Sequence, residues 1–138
     1  MPRISIAVAV LLLVASAAFA QNVQRTELSI NVVNYGAVPN DGNDDTAAFN
    51  NAMAAIATWG RIYIPRGIYD INNTITVSKD RIHWEGDGIW ATVIRFNPAA
   101  NDVPVFDFNA TGTAPSVQCS LRRLSFLSNN TTFKKIAV

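Results

Sequence analysis

Residues 34–49 read NYGAVPNDGNDDTAAF, a cluster of turn-forming residues that leads directly into a helix. Gly, Pro, Asn and Asp dominate the first part of this stretch, as is typical of a long loop. Asp44 and Asp45 both offer a carboxylate to the helix N-terminus; we expect Asp45 to be the cap and Thr46 to take the first helical position. Apolar residues then recur at spacings of three and four until Gly60, which predicts one amphipathic helix over residues 45–58. We expect this helix to be a cap formed by Asp45, Thr46, Phe49, Met53 and Ile56.

After Gly60 the apolar residues alternate with polar ones, which indicates short β-strands. Each strand has one apolar face, and Gly, Asn, Asp and Pro turns separate the strands. The apolar pairs that mark them are Ile62/Ile64, Ile75/Val77, Ile82/Trp84, Ile94/Phe96, Phe106/Phe108 and Leu124/Phe126. From Ile82 to Val105 is 23 residues and from Val105 to Leu124 is 19, which predicts a repeat of some twenty residues.

Such a repeat is typical of a solenoid, in which successive coils stack at the strand-pairing distance of about 4.8 Å. One coil cannot close a core alone, and the predicted helix stands where an end cap is needed. A small β-sandwich or barrel is the alternative, because its strands are equally short. Asp87-Gly88 is a dipeptide that suits a two-residue hairpin turn, which would favour that alternative. We favour the parallel solenoid.

Three elements of the chain, in order, resemble the N-terminal signature of the pectate-lyase-like superfamily. They are residues 30–49 with the segments YGA, DG and DDTAAF, residues 63–69 (YIPRGIY), and residues 82–94 (IHWEGDGIWATVI). The resemblance implies an all-β fold, a right-handed parallel β-helix with one N-terminal capping α-helix over its first coil. The chain ends at Val138 without a second cap, so we expect this β-helix to be incomplete at the C-terminus.

The resemblance also implies carbohydrate as the ligand, either pectin-type polyuronides, rhamnogalacturonan or bacterial surface glycans. Hydrolytic members of the superfamily carry Asn-Thr-Asp, Asp-Asp and Gly-His-Gly motifs on middle coils. Gly-His-Gly is absent here, and the only adjacent aspartates, Asp44-Asp45, belong to the cap. Two hypotheses follow. The chain is the N-terminal part of a secreted lyase or glycoside hydrolase whose catalytic coils lie outside it, or it is a non-catalytic β-helix module that binds glycan or acts as a spacer.

The N-terminus has the features of a cleaved export signal. Arg3 supplies a positive charge, residues 6–14 are apolar without a break, and Ala18 and Ala20 stand in the relation that signal peptidase accepts. A membrane anchor is the alternative, but the small residues at the end of the segment suit cleavage better. The predicted divisions are a signal peptide (1–20), a flexible leader (21–29) and the β-helix domain (30–138). The mature protein is expected to be secreted and to have no membrane contact.

Composition excludes several classes of function. The chain has 11 Lys and Arg against 10 Asp and Glu, without clustering, so it lacks the basic patch that nucleic acid requires. One Cys and one His exclude a disulfide framework and a Cys/His zinc site. Asp41, Asn43 and Asp45 have the 1-3-5 spacing of a calcium loop, but Thr46 and Ala52 replace the Gly and Glu that an EF-hand requires. No cofactor is expected, and calcium is kept as the alternative.

The corner at Gly86 carries two candidate functions. Gly86-x-Gly-x-x-Ala matches the dinucleotide fingerprint, but residues 92–96 are β-branched and predict a strand where that motif requires a helix. A turn is therefore favoured over a nucleotide site. Of the three tryptophans, Trp84 alternates in phase with Ile82 and is expected in the core, and Trp59 is expected at the end of the helix. Trp90, beside this corner, is the residue that we expect to contact sugar.

Candidates for acid–base chemistry are few. His83, the only imidazole, lies between two core-facing residues and is expected to face solvent. Glycoside hydrolysis needs two carboxylates at a defined separation, and Asp87, Asp102 and Asp107 are the candidates. Arg122-Arg123 and Lys134-Lys135 offer cations for a uronate, although such basic pairs are commoner on outward edges than as substrate clamps. No catalytic constellation is recognisable in this chain, so its catalytic residues stay unassigned.

Overall fold

The computed structural model describes residues 28–100, 103–108 and 118–128. The predicted signal peptide, most of the predicted leader and Asp102 lie outside these ranges. The described elements are β1 (Ser29–Asn31), a 3-10 helix (Val32–Tyr35), α1 (Thr46–Ala55), β2 (Arg61–Ile64), β3 (Gly67–Ile71), β4 (Ile75–Thr76), β5 (His83–Gly86), β6 (Thr92–Phe96), β7 (Phe106–Asp107), β8 (Ser120–Arg122) and β9 (Ser125–Ser128).

The strands assemble into three sheets, and every strand pair within the described ranges is parallel. A four-stranded sheet has the order β1-β2-β5-β8, a three-stranded sheet β3-β6-β9, and a two-stranded sheet β4-β7. From β2 onward the chain visits the three sheets in turn and then returns to the first. Because parallel strands cannot be joined by a two-residue hairpin, Asp87-Gly88 links two different sheets. The mostly-strand fold with one helix is as predicted.

The spacing between paired strands is longer and less regular than predicted. Arg61 pairs with His83, which is 22 residues further on, but His83 pairs with Ser120, which is 37 residues further on. The predicted repeat of some twenty residues therefore holds from Arg61 to His83 but is wrong from His83 to Ser120. Val105 was counted as equivalent to Ile82, yet it precedes β7 in the two-stranded sheet. Connections of different length are compatible with one pattern of strand pairing, because surface loops in general tolerate changes in length.

The core lies between the sheets and contains a column of aromatic rings. Phe49 of α1 stacks on Trp84 of β5 with ring centroids 5.9 Å apart. Trp84 in turn meets Phe106 of β7 edge to face at 5.2 Å. Ile62 and Ile64 are fully buried beside them, which confirms the inward phase that the alternation predicted. Aromatic pairs of this geometry add to the stabilisation from buried area.

Helix α1 covers one end of this core, as expected of a cap. Phe49, Met53 and Ile56 are all buried. The helix is shorter than the predicted 45–58, because it ends at Ala55 and Ile56 adopts extended backbone. The ammonium group of Lys79 donates hydrogen bonds to the carbonyl oxygens of Ala54 and Ile56, and so satisfies acceptors at the helix end.

Asp45 occupies the predicted N-cap position, but the carboxylate that bonds to the helix N-terminus is that of Asp44. Asp44 Oδ1 accepts a hydrogen bond from the Thr46 N–H at 3.0 Å, and a second from the Asn72 N–H at 3.1 Å. Burial raises the pKa of Asp44, but these hydrogen bonds outweigh it and hold the pKa below its ordinary value. Asp45 makes no side-chain bond to the helix and instead accepts from the Val38 N–H at 2.9 Å. Asp45 therefore secures the preceding loop.

Two further local predictions need correction. The left-handed residue after the helix is Trp59, with φ 68°, and not Gly60. Gly60 serves close packing, since a Cβ there would lie 2.3 Å from Ile56 Cγ1. The predicted leader (21–29) overlaps the first strand, which begins at Ser29, and the chain turns into the 3-10 helix at Val32.

Candidate functional site

The outward face of the four-stranded sheet carries two rows of polar side chains. Paired strands are in register, so one row is Ser29, Arg61, His83 and Ser120, and the other is Asn31, Tyr63, Glu85 and Arg122. The residues between them in sequence, such as Ile62 and Trp84, are buried. Since successive strand residues point to opposite faces, both rows lie on the side away from the core.

A groove of about 280 Å³ opens on this face and is lined by Arg61, His83, Glu85 and Arg122. Arg61 Nη1 donates to Glu85 Oε2 at 3.0 Å. His83 Nδ1 and Ser120 Oγ are 2.8 Å apart and share a hydrogen bond. The Arg122 side chain is exposed, and its guanidinium forms no hydrogen bond or ion pair with any other described residue. Its guanidinium is therefore available to an anion in the groove.

Both carboxylates on this side of the sheet are already engaged. Besides its bond to Arg61, Glu85 has its Oε1 3.7 Å from Arg123 Nη1. Asp87 Oδ1 accepts from the Tyr63 hydroxyl at 2.7 Å, and Asp87 Oδ2 accepts from the Arg66 N–H at 2.9 Å. The hydrogen bond to Asp87 raises the pKa of Tyr63. A role in acid–base chemistry would require either carboxylate to give up these partners.

The loop of residues 87–91 holds its exposed side chains in a fixed turn. The Asp87 N–H donates to Thr92 Oγ1 at 2.9 Å, and Gly88 O accepts from both Ala91 N and Thr92 N at 3.0 Å. Trp90 projects from this turn and is 84% exposed. Strand β6 begins at Thr92, so no helix follows the Gly-x-Gly motif and the turn prediction is confirmed.

The structure separates Asp87 from Asp107, two of the three aspartates that the sequence singled out. Asp87 lies at the corner after β5, whereas Asp107 belongs to β7 in the two-stranded sheet, and Asp102 lies outside the described residues. His83 faces outward as predicted, but it lines the groove. Sequence reasoning missed Arg61 altogether. Its outward phase beside Ile62 was readable, but the register that places it near His83 was not.

The carboxylates of the possible calcium loop accept hydrogen bonds from within the chain. Both oxygens of Asp41 accept hydrogen bonds from Asn43, one from its N–H at 2.9 Å and one from Nδ2 at 3.0 Å. Those bonds lower the pKa of Asp41, and Asp45 turns toward Val38 instead. Within residues 28–100, 103–108 and 118–128, no group of three or more His, Cys, Asp or Glu is arranged to hold a metal. In the same ranges no helix is long and apolar enough to cross a membrane.

Three parallel sheets under a capping helix, with a polar groove on one outward face, define an all-β protein of the pectate-lyase-like class. Residues 29–137 match the family described as rhamnogalacturonase A/epimerase, pectate lyase-like, and the chain belongs to that family. The expected superfamily is thereby confirmed. The comparison with curated proteins gave no match.

Two solved structures are similar to the chain. One is ORF18 of Geobacillus virus E2, with a TM-score of 0.60 and 26% identity, over 83% of this chain and 24% of that one. The other is described as the Agl-KA catalytic domain, with a TM-score of 0.58 and 30% identity, over 73% of this chain and 18% of that one. The chain thus spans less than a quarter of the length of either structure.

Proposed function

We propose that the chain is the N-terminal cap and first coils of a secreted, polysaccharide-active, right-handed parallel β-helix protein, and that the groove binds an acidic glycan. The cyclic visit to three parallel sheets supports stacked coils. Connections between parallel strands of one sheet are right-handed in about 98% of cases, which supports the handedness. The cap helix at one end of the core agrees with an N-terminal position.

The unpaired guanidinium of Arg122 is the main reason to propose an acidic ligand. Its guanidinium lines the groove without a partner among the described residues, while the neighbouring Arg61 is half exposed and is only partly neutralised by Glu85. A guanidinium binds a carboxylate through two parallel hydrogen bonds, which suits the uronate groups of pectin-type glycans. The match to a family named for a rhamnogalacturonase supports the same class of ligand.

The engaged carboxylates favour binding over chemistry within this chain. Glu85 and Asp87 each have both oxygens occupied by cations or N–H and O–H donors. We infer that lyase or hydrolase chemistry belongs to coils outside residues 21–138. The small share of the Agl-KA catalytic domain that the chain matches is consistent with this. A non-catalytic module for glycan binding or spacing is the second candidate, and the same engaged carboxylates favour it.

Binding is tested by affinity electrophoresis of the exported chain in gels that contain polygalacturonate. Arg122→Ala is expected to weaken binding roughly ten-fold, because it removes charge-assisted hydrogen bonds. Arg66→Ala is the matched control, since Arg66 is exposed and only its backbone N–H has a described partner. Polygalacturonate with its carboxyl groups reduced should not retard the protein. Equal retardation of both variants would refute the groove as the glycan-binding site.

Trp90 is proposed to add a stacking contact at the turn that follows β5. Its ring is exposed on a fixed turn, so little conformational entropy is lost when a sugar packs on it. Trp90→Ala should weaken binding of the polymer by a few-fold without changing the thermal midpoint. Unchanged retardation of this variant would remove Trp90 from the site.

Activity is tested with purified residues 21–138 on pectin, rhamnogalacturonan and alginate, with and without added calcium. We expect neither new reducing ends nor the absorbance of an unsaturated uronate. Steady turnover that disappears on substitution of Asp87, Asp102 or Asp107 would show an active site in this chain. Export is tested separately by intact mass, which should begin at Gln21 after cleavage behind Ala20.

A further inference from the structure

The corner before the four-stranded sheet is built in the same way three times. Trp59, Arg81 and Gln118 each stand two residues before the start of β2, β5 and β8. All three have left-handed backbone, with φ of 68°, 57° and 58°. This conformation is unfavourable for any residue with a Cβ, and glycine would adopt it more easily. Large side chains at three equivalent positions of unfavourable backbone conformation indicate that these side chains have a function.

The three side chains contact one another in sequence, and we name them the Trp59 ladder. The Arg81 guanidinium carbon lies 4.1 Å from the centroid of the Trp59 ring. Arg81 Nε donates to Gln118 Oε1 at 2.7 Å. These two contacts set both the plane and the direction of the guanidinium. Its two Nη groups form no hydrogen bond with any described residue, so that edge is free.

A guanidinium held in this way is preorganised to bind an anionic group. Its free Nη edge matches two oxygens of a carboxylate or sulfate group. The Trp59 ring is 64% exposed and adds apolar surface next to that edge. An anionic group attached to a ring with an apolar face satisfies both features, and an anionic pyranose is such a ligand.

The ladder borders the groove. Arg81 stands two residues before His83, and Trp59 two residues before Arg61, so each is at most about 7 Å along the chain from the row that lines the groove. We propose that the Trp59 ladder is a second subsite, which binds the anionic group of one sugar residue of the glycan. This inference rests on the proposed function, because it takes an acidic glycan as the ligand.

The test is titration calorimetry of the exported chain with three trisaccharides. They are trigalacturonate, the same trisaccharide with its carboxyl groups reduced, and a sulfated trigalactose. Arg81→Lys retains the charge but loses the bidentate edge and the bond to Gln118, and should weaken trigalacturonate binding about ten-fold. Trp59→Gly removes the ring and accepts the left-handed backbone, so it should weaken binding without unfolding the protein. Arg66→Lys is the matched control and should bind as the wild type does.

The outcomes distinguish the Trp59 ladder from the groove as the place where the glycan binds. If both ladder variants bind like the wild type while Arg122→Ala does not, the ladder is refuted and the groove stands. If Arg122→Ala binds normally and the ladder variants do not, the ladder stands and the groove fails. Failure of the wild type to bind either anionic trisaccharide refutes both. Binding of the sulfated ligand alone, lost in Arg81→Lys, supports the ladder with sulfate as the anionic group.

Discussion

The two faces of the four-stranded sheet come from the same strands but contribute different things. On the inward face, Trp84 is fully buried and stacks on Phe49 of the cap helix. On the outward face, Arg61 and Glu85 meet in a salt bridge that is half exposed on the arginine side. Burial of large apolar side chains stabilises by roughly 1.5–3 kcal/mol each, whereas exposed ion pairs contribute about 0–1 kcal/mol. The inward face therefore holds the fold, and the outward face is free to specify a ligand.

The largest effect is expected on the inward side, at Met53→Asp. Met53 is buried where α1 meets the core, so an unpaired carboxylate there should cost several kcal/mol of unfolding free energy. Asn51→Asp introduces the same charge at an exposed position of the helix and should change stability little. Thermal unfolding followed by circular dichroism measures both. If Met53→Asp melts within a degree or two of the wild type, α1 does not cap a core.

Substitution by alanine should also lower stability at Gly86, the last residue of β5, but not at Gly88 in the turn that follows. At Gly86 a Cβ would lie 2.4 Å from the Arg123 carbonyl oxygen and 2.7 Å from Thr92 Cβ, so Gly86→Ala should cost roughly 1–3 kcal/mol. At Gly88 the nearest atom would be Ala91 Cβ at 3.6 Å, an ordinary contact. Gly88→Ala should therefore be close to neutral. Urea denaturation compares them, and equal losses would contradict the parallel stacking at Gly86.

Asp45→Asn tests a buried charge at the edge of the core. Burial raises the pKa of Asp45 above its ordinary value of 3.8, and Oδ2 has no partner among the described residues. A raised folded-state pKa means stability that is present below pH 3.8 and lost as pH rises through the folded value. Asparagine keeps an oxygen for the Val38 N–H and does not ionise.

The Asp45→Asn variant should accordingly have a larger free energy of unfolding than the wild type at neutral pH. This difference in unfolding free energy should shrink toward pH 3. Urea denaturation at several pH values measures the difference. A gap that stays constant with pH, or widens in acid, would show that the Asp45 carboxylate is not penalised by burial. Asp44→Asn is the comparison, because the pKa of Asp44 is lowered and its stability contribution is lost in acid.

The smallest effect on stability is expected on the outward face, at Arg61→Ala. Its salt bridge to Glu85 is exposed, so the loss should be at most about 0.5 kcal/mol and should vanish in high salt. The same variant should nevertheless weaken binding of an acidic glycan, because Arg61 lines the groove. Denaturation and affinity electrophoresis on one sample separate the two effects. A large stability loss would mean that this face also holds the fold.

Local patterns were sufficient for the elements of the fold but not for their details. Alternation located the strands and their inward residues, and the stripe of Phe49 and Met53 located the cap helix. Which of two adjacent aspartates caps that helix was not readable, since Asp44 and Asp45 are equally suitable by chemistry. The position of Asn72 and Val38 decides it, because each supplies an N–H to one of the two carboxylates.

The sequence by itself determined which residues face the core, that one helix caps it, and which family the chain resembles. These depend on side-chain periodicity and local turn chemistry, which are properties of neighbours along the chain. Only the tertiary structure decided that Arg61, His83 and Arg122 share one groove, and that Trp59, Arg81 and Gln118 form a ladder. Strand pairing across 22 and then 37 residues brings them together, and loop lengths that vary at the corners leave no periodic signal of that register.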